Sequence, residues 1–287
     1  MKNVYNKFKT FADSWVGSII IILLIINFLF QAYLIPSGSM KSTLKVGDWV
    51  IVNKFKYGIN VPYFPWIEVP LFPDINNNGH LVEGDKPERG DIVTFRYPKN
   101  IKTHFVKRCV AKEGDILYIK NKDLYIKFNE SEEYIKNKYL DKGYKVIKHE
   151  GLGTFVKNPY SKDHKIRHDD KITLGNYEAL SRALEDQNMV GMNEQRDTYL
   201  KLINYPTKKC EENKIFEMIK SEDGTSMVKI NKDEYFMLGD NRENSHDSRF
   251  WGPINYKHVE GSPIMVLLSI DKDEYSLRFN RTLSFIE

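Results

Sequence analysis

The 19 residues from Val16 to Leu34 carry no charge, and Ile19 to Ile26 is unbroken isoleucine and leucine. A stretch this apolar has to leave water. As a helix rising about 1.5 Å per residue it nearly crosses a hydrocarbon core of about 30 Å. Trp15 and Tyr33 stand at its two ends, where interfacial aromatics belong. The expectation is a single transmembrane helix over 15–35 behind a short tail, 1–14. A cleaved secretory signal competes with it, because Lys2, Lys7 and Lys9 make a basic start and Ser37-x-Ser39 offers small residues in cleavage register. Against that reading, the apolar run exceeds the usual 7–15 residues or so of a signal core, and Pro36 interrupts the site. Lys41 and Lys45 follow the segment almost as closely as the three lysines precede it, so charge favours an inside-to-outside orientation only weakly.

The chain beyond this segment is long enough for a real core. Of 287 residues, 41% are hydrophobic and 29% charged, as in an ordinary folded protein. A net charge of +4 spread along the chain gives no basic arm or stripe, and no nucleic-acid partner is expected. Cys109 and Cys210 lie 101 positions apart, which fits neither a metal-ligand spacing nor a dense disulfide scaffold, and the serine chemistry considered below needs no metal and no cofactor. Five Gly-Asp pairs, at 47–48, 84–85, 90–91, 114–115 and 239–240, punctuate the chain, and most introduce short β-branched and aromatic runs. Trp49 to Val52, Ile92 to Phe95, Phe105 to Val110, Ile116 to Ile119 and Met265 to Ser269 all read as strands. The fold class is therefore mainly β: a β catalytic domain over 36–118 and 231–287. Residues 119–230, rich in Lys, Asn, Asp and Glu with a helix-like patch at Tyr177 to Leu184, read as an inserted α/β subdomain. The Tyr63 to Pro73 loop, with Phe64, Trp66 and Phe72 among prolines, either packs on the sheet or dips into lipid headgroups.

A serine just beyond an apolar segment invites chemistry at a bilayer surface, but a serine is a weak nucleophile until a base takes its proton. For Ser39 the usual base is histidine. None of the seven histidines stands in a recognisable motif; His104 and His246 are the nearest candidates. A lysine serves instead when burial makes it neutral. In the run Thr103 to Ala111, a period of two puts Lys107 on one face with Phe105, Cys109 and Ala111, and His104 with Arg108 on the other. Buried there without a compensating carboxylate, Lys107 loses its charge; alone on an apolar strand it reads as an edge residue whose stem snorkels outward. Ser37 is a turn residue or an oxyanion donor working with the Ser39 N–H. Ser245, Asp247 and Arg249 are a solvated turn, or a loop in which Ser245 orients the lysine and the ion pair braces it.

At these residues the chain resembles bacterial type I signal peptidase (leader peptidase), a membrane-anchored serine endopeptidase with a Ser/Lys dyad. Four blocks match in order: Ile35 to Leu44 with Gly47-Asp48, Arg89 to Phe95, His104 to Val110, and Gly239 to Arg249. The resemblance covers roughly residues 15–118 and 231–282. It implies a largely β catalytic core with an inserted second domain, outside the cytoplasmic (inner) membrane on the periplasmic or extracytoplasmic side; as a departure from the family, only one membrane segment, the single pass expected above, precedes the site here. It implies Ser39 as nucleophile, Lys107 as general base, Ser37 as oxyanion donor, Ser245 as orienter of the lysine, and Asp247 and Arg249 in support. It further implies a cleft with two shallow pockets for small side chains, walled by Tyr33, Ile35, Pro36, Met40, Leu44, Val50, Phe105 and Val106. The implied partners are signal-peptide-bearing preproteins and membrane lipid, with a secretion translocon close by. Ser42 stands where many members have proline. The rivals are a specialised peptidase for one pilin or conjugative transfer protein, and a noncatalytic periplasmic binding scaffold.

Overall fold

The computed structural model describes residues 2–28, 30–63, 69–120, 123–161, 166, 217–220, 226–242 and 244–286. The helix-like patch at 177–184, Cys210, Phe64 and Trp66 lie outside the described residues. Two helices lead, α1 (Lys2–Ala12) and α2 (Trp15–Phe28). The strands come next, in chain order: β1 (Phe30–Leu34), β2 (Asp48–Asn53), β3 (Gly58–Asn60), β4 (His80–Glu83), β5 (Ile92–Tyr97), β6 (Asn100–Ala111), β7 (Ile116–Lys120), β8 (Asp123–Lys127), β9 (Val146–His149), β10 (Gly153–Lys157), β11 (Glu217–Lys220), β12 (Ser226–Lys229), β13 (Glu234–Leu238), β14 (Ile254–Asn255), β15 (Val259–Asp271), β16 (Ser276–Leu277) and β17 (Ser284–Phe285).

The fold is mainly β, and all five strands expected from the sequence fall inside observed ones. The expected 15–35 helix is shorter than its apolar run. Helix α2 stops at Phe28, and Phe30–Leu34 is strand β1, paired antiparallel with β2 so that Tyr33 faces Val50 and Leu34 faces Trp49. The physical reason is a change of pattern: after Phe28 the sequence alternates Phe30-Gln-Ala-Tyr-Leu34, a two-residue period that suits a half-buried strand better than a helix face. No helix among the described residues is long and apolar enough to cross a membrane.

The larger sheet runs β1-β2-β15-β5-β6-β13-β14, with β16 and β17 also on β15. The second sheet runs β11-β12-β7-β8-β10-β9. It begins with β7 at Ile116, slightly ahead of the insertion boundary expected at 119, and it holds more strands than the polar sequence advertises. Strands of only four or five residues such as β8 and β10 carry a single buried triplet each, a weak signal to read. The sheets share one core, in which Val110, Ala111, Phe236 and Leu238 of the larger pack with Leu117, Ile126 and Val156 of the smaller. A second cluster gathers Val93, Phe95, Cys109, Met237, Phe250 and Trp251, and a third gathers Ile35, Met40, Leu44, Val50, Val52, Ile92 and Val266. Strand β6 lies between these last two, with Phe105 packed against one and Val106 against the other. The face shared with Lys107 ends at Cys109: a bulge against β13, where Phe236 pairs with Ala111 but Met237 with Cys109, turns Ala111 into the shared core.

Candidate active site

Ser39 sits in a three-residue 3₁₀ turn, Gly38–Met40, which comes after β1 and an extended Ser37. Pairing β1 with β2 and burying Ile35 and Met40 in the third cluster fixes both ends of that turn. Lys107 comes from the middle of β6, on the face with Phe105, whose ring lies 5.2 Å from the Lys107 Nζ. The two chemistry-bearing side chains meet: Lys107 Nζ is 2.8 Å from Ser39 Oγ and donates to the Val106 carbonyl at 3.0 Å. Both are buried, with 8% of Ser39 and 3% of Lys107 exposed. Burial lowers the Lys107 pKa from 10.5 to about 8. Contrary to the expectation of no compensating carboxylate, Asp247 and Asp240 pull it partly back up, while Arg249 pushes it down.

The loop after β13 backs this pair. The Gly239 N–H donates to Asp247 Oδ2 at 3.0 Å, and Arg249 clasps the same carboxylate through Nε and Nη2, each at 2.7 Å. Asp247 and Arg249 are wholly buried, so a solvated turn is excluded. Burial works to raise the Asp247 carboxyl, but the Arg249 charge and hydrogen bonds, the Gly239 N–H and the Ser245 hydroxyl outweigh it and hold it below the usual range. Ser245 is buried against Gly239: a Cβ there would collide with Ser245 Oγ and lie 2.6 Å from the Ser39 carbonyl oxygen. The Ser245 hydroxyl, expected to orient Lys107, also helps to hold the Asp247 carboxyl low. Ser37 is exposed, its Oγ 3.5 Å from Ser39 Oγ, at the outer limit of a hydrogen bond.

The alternative bases stand elsewhere. His104 is on the opposite face of β6, 2.7 Å from the Glu260 carboxylate, and His246 packs among aromatic rings, 4.7 Å from Trp251 and 5.0 Å from Phe250. Of the eight wall residues, Tyr33, Ile35, Met40, Leu44, Val50 and Val106 come together in the third cluster. Phe105 belongs to the other cluster and Pro36 is exposed.

Sequence reasoning missed one brace. Arg108, buried beside Lys107, forks onto Asp240 with Nε and Nη2 at 2.8 and 2.7 Å, and Thr43 donates to the same carboxylate at 2.6 Å. Burial alone would raise the Asp240 carboxyl; Arg108 and then Thr43 reverse that and leave it lowered. An arginine inside an apolar strand and an aspartate directly after Gly239 were the available signals.

Comparison with known proteins decides the family. The family model described as "Signal peptidase, peptidase S26" matches residues 8–268. The chain belongs to that signal peptidase family. Signal peptidase I of Helicobacter pylori strain J99 is 38% identical, covering 100% of this chain and 94% of its own. That of strain 26695 is 40% identical, over 94% and 84% of the two chains. Signal peptidase I of Buchnera aphidicola subsp. Baizongia pistaciae is 33% identical, over 94% and 81%. A crystal structure of signal peptidase I from Enterococcus faecalis V583 aligns at 21% identity over 62% of this chain and 97% of that one, and its TM-score of 0.26 is too low to bear on the fold.

Proposed function

We propose that this signal peptidase removes N-terminal signal peptides from exported preproteins as a Ser39/Lys107 serine endopeptidase. The observation that carries the reading is the buried Lys107 Nζ 2.8 Å from Ser39 Oγ. Neutral Lys107 takes the Ser39 proton as the oxygen attacks the scissile carbonyl, then passes it to the leaving amine. The tetrahedral oxyanion is held by the Ser39 N–H and the Ser37 hydroxyl, and Lys107 next activates water to clear the acyl-enzyme. Ser245, Asp247 and Arg249 keep the lysine's surroundings fixed from behind.

The cleft reading rests on the apolar cluster that gathers Tyr33, Ile35, Met40, Leu44, Val50 and Val106, with Pro36 and Phe105 added from the family resemblance. Such walls suit small side chains at the first and third positions before the cut. Helix α2, at 14 residues, is about 21 Å long, short of a hydrocarbon core of about 30 Å. Its uncharged sequence supports a single-pass anchor in the cytoplasmic membrane with the catalytic domain on the periplasmic side, near lipid and the translocon that delivers the substrates.

Incubating the purified chain with a signal-bearing preprotein and mapping the cut by mass spectrometry tests this. Cleavage after a small residue at the signal junction is expected, with none by Ser39→Ala. An active Ser39→Ala enzyme, or a cut after Lys or Phe as ready as after Ala, overturns it. Cleavage of several unrelated preproteins separates a general peptidase from one dedicated to a single pilin or transfer protein.

A further inference from the structure

One residue touches the nucleophile's turn twice. Asn241, two positions after Gly239 and only 1% exposed, donates its backbone N–H to the Ser39 carbonyl at 3.0 Å and its side-chain Nδ2 to the Gly38 carbonyl at 3.0 Å. The orientation of its amide is fixed by the partner: a carbonyl only accepts, so the NH₂ group must face Gly38. The other end, Oδ1, is buried with no hydrogen-bond partner among the described residues. Leaving a buried amide oxygen unmet costs free energy. An amide kept there at that cost holds something that matters.

Peptide planarity says what it holds. In a trans peptide the carbonyl of one residue and the N–H of the next point in opposite directions across a rigid plane. Seizing the Gly38 oxygen therefore fixes the direction of the Ser39 N–H, and seizing the Ser39 oxygen fixes that of Met40. The turn's own bond, Lys41 N–H to Gly38 oxygen at 3.1 Å, leaves the Ser39 carbonyl to Asn241.

We propose that Asn241 is a positioning residue for the oxyanion site, aiming the Ser39 N–H at the oxygen that becomes charged during attack by gripping the Gly38 and Ser39 carbonyls. This rests on the Ser39/Lys107 reading and adds to it the part that orients the backbone donor. Asn241 acts through the turn's backbone, not on substrate or Lys107. A misdirected donor weakens only an interaction that exists beyond the ground state, so turnover suffers and binding does not.

The experiment compares full-length wild type with Asn241→Ala and Asn241→Asp. The aspartate keeps the volume but sets an acceptor against the Gly38 carbonyl, so it tests the bond even where alanine disturbs folding. In both variants kcat should fall about tenfold to a hundredfold, within the about 10²–10³-fold that losing a whole oxyanion donor costs. KM for a signal-junction peptide should stay within about twofold, and in Asn241→Ala, which adds no charge near Lys107, the inflection of rate against pH should not move. Affinity for a peptide boronic acid, which forms a tetrahedral anion on the serine, should drop in step with kcat. Either variant turning over at the wild-type rate, or a kcat loss with boronate affinity intact, overturns the inference. So does a fall in thermal stability with kcat per folded molecule unchanged. Ser39→Ala run alongside separates the two levels: if it is inactive while the Asn241 variants are normal, only this inference fails, and if it is active the underlying mechanism fails.

Discussion

A lysine 2.8 Å from a serine hydroxyl is a base only while it is neutral, and burial brings that state closer to ordinary pH. In the proposed mechanism neutral Lys107 is the reactive form, so cleavage should rise as pH passes through about 8 and level off above it, measured as kcat/KM on a junction peptide. Lys107→Arg keeps the charge but cannot shed it, and should be as inactive as Lys107→Ala; an active arginine variant would hand the role to another group. The same shift links to stability. Between about 8 and 10.5 the unfolded chain binds a proton here that the folded chain does not, so this group makes the fold more stable as pH climbs that window. Gly239 is the second residue on which the site turns. A methyl there meets Ser245 and the Ser39 carbonyl, and overpacking of this kind costs about 1–3 kcal/mol, so Gly239→Ala should lose activity well before it loses its fold by circular dichroism. Lys107 was legible because a charged residue on an apolar strand face violates its own pattern. Asp240 and Asn241 were not, because their partners Arg108 and Gly38 lie 132 and 203 positions away and no local periodicity encodes such a pairing.

Among elements, β6 does most to assemble the site, since it carries Lys107 toward Ser39 and, on its other face, Arg108 toward Asp240 and Thr43. That fork ties β6, the loop after Ser39 and the loop after β13 in one buried knot. Arg108→Ala leaves Asp240 buried and unpaired and should cost about 3–5 kcal/mol in chemical denaturation, whereas replacing both by apolar residues should recover much of the loss. The divide between α2 and β1 makes a sharper demand. Deleting residues 1–28 leaves β1 and Tyr33 in place, so cleavage of a soluble junction peptide should persist while processing of vesicle-held preprotein drops about a hundredfold or more. Deleting 1–35 strips β1 from β2 and uncovers Val50, and should abolish both. The strands were readable wherever β-branched and aromatic residues ran together, mostly after a Gly-Asp pair; the end of the helix was not, because Phe30 to Leu34 is as uncharged as what precedes it.

Across the molecule, the two sheets are less separable than an insertion implies. Val110, Ala111, Phe236 and Leu238 of the larger sheet bury themselves against Leu117, Ile126 and Val156 of the smaller. Joining Tyr118 to Asn231 by a short linker should therefore expose that face and yield an aggregating, inactive chain, measured by size-exclusion chromatography; a monomeric active product would show the second sheet to be dispensable. Polar composition hid this, since a sheet whose outer positions are Lys and Asp looks like a loop-rich excursion until its buried triplets are paired. The direct passage from α2 into β1 has one more consequence. Residues 29–38 separate the end of the helix from Ser39, and five of them, Phe30–Leu34, are locked straight in the sheet, about 17 Å at about 3.3 Å each. Under the proposed anchoring, this distance would act as a ruler. On the proposed anchoring of α2 in the bilayer, the bond that reaches Ser39 would be chosen by its height above the lipid as well as by its neighbours, and a preprotein whose junction is moved by a few inserted residues should escape cleavage although every residue flanking the bond is kept.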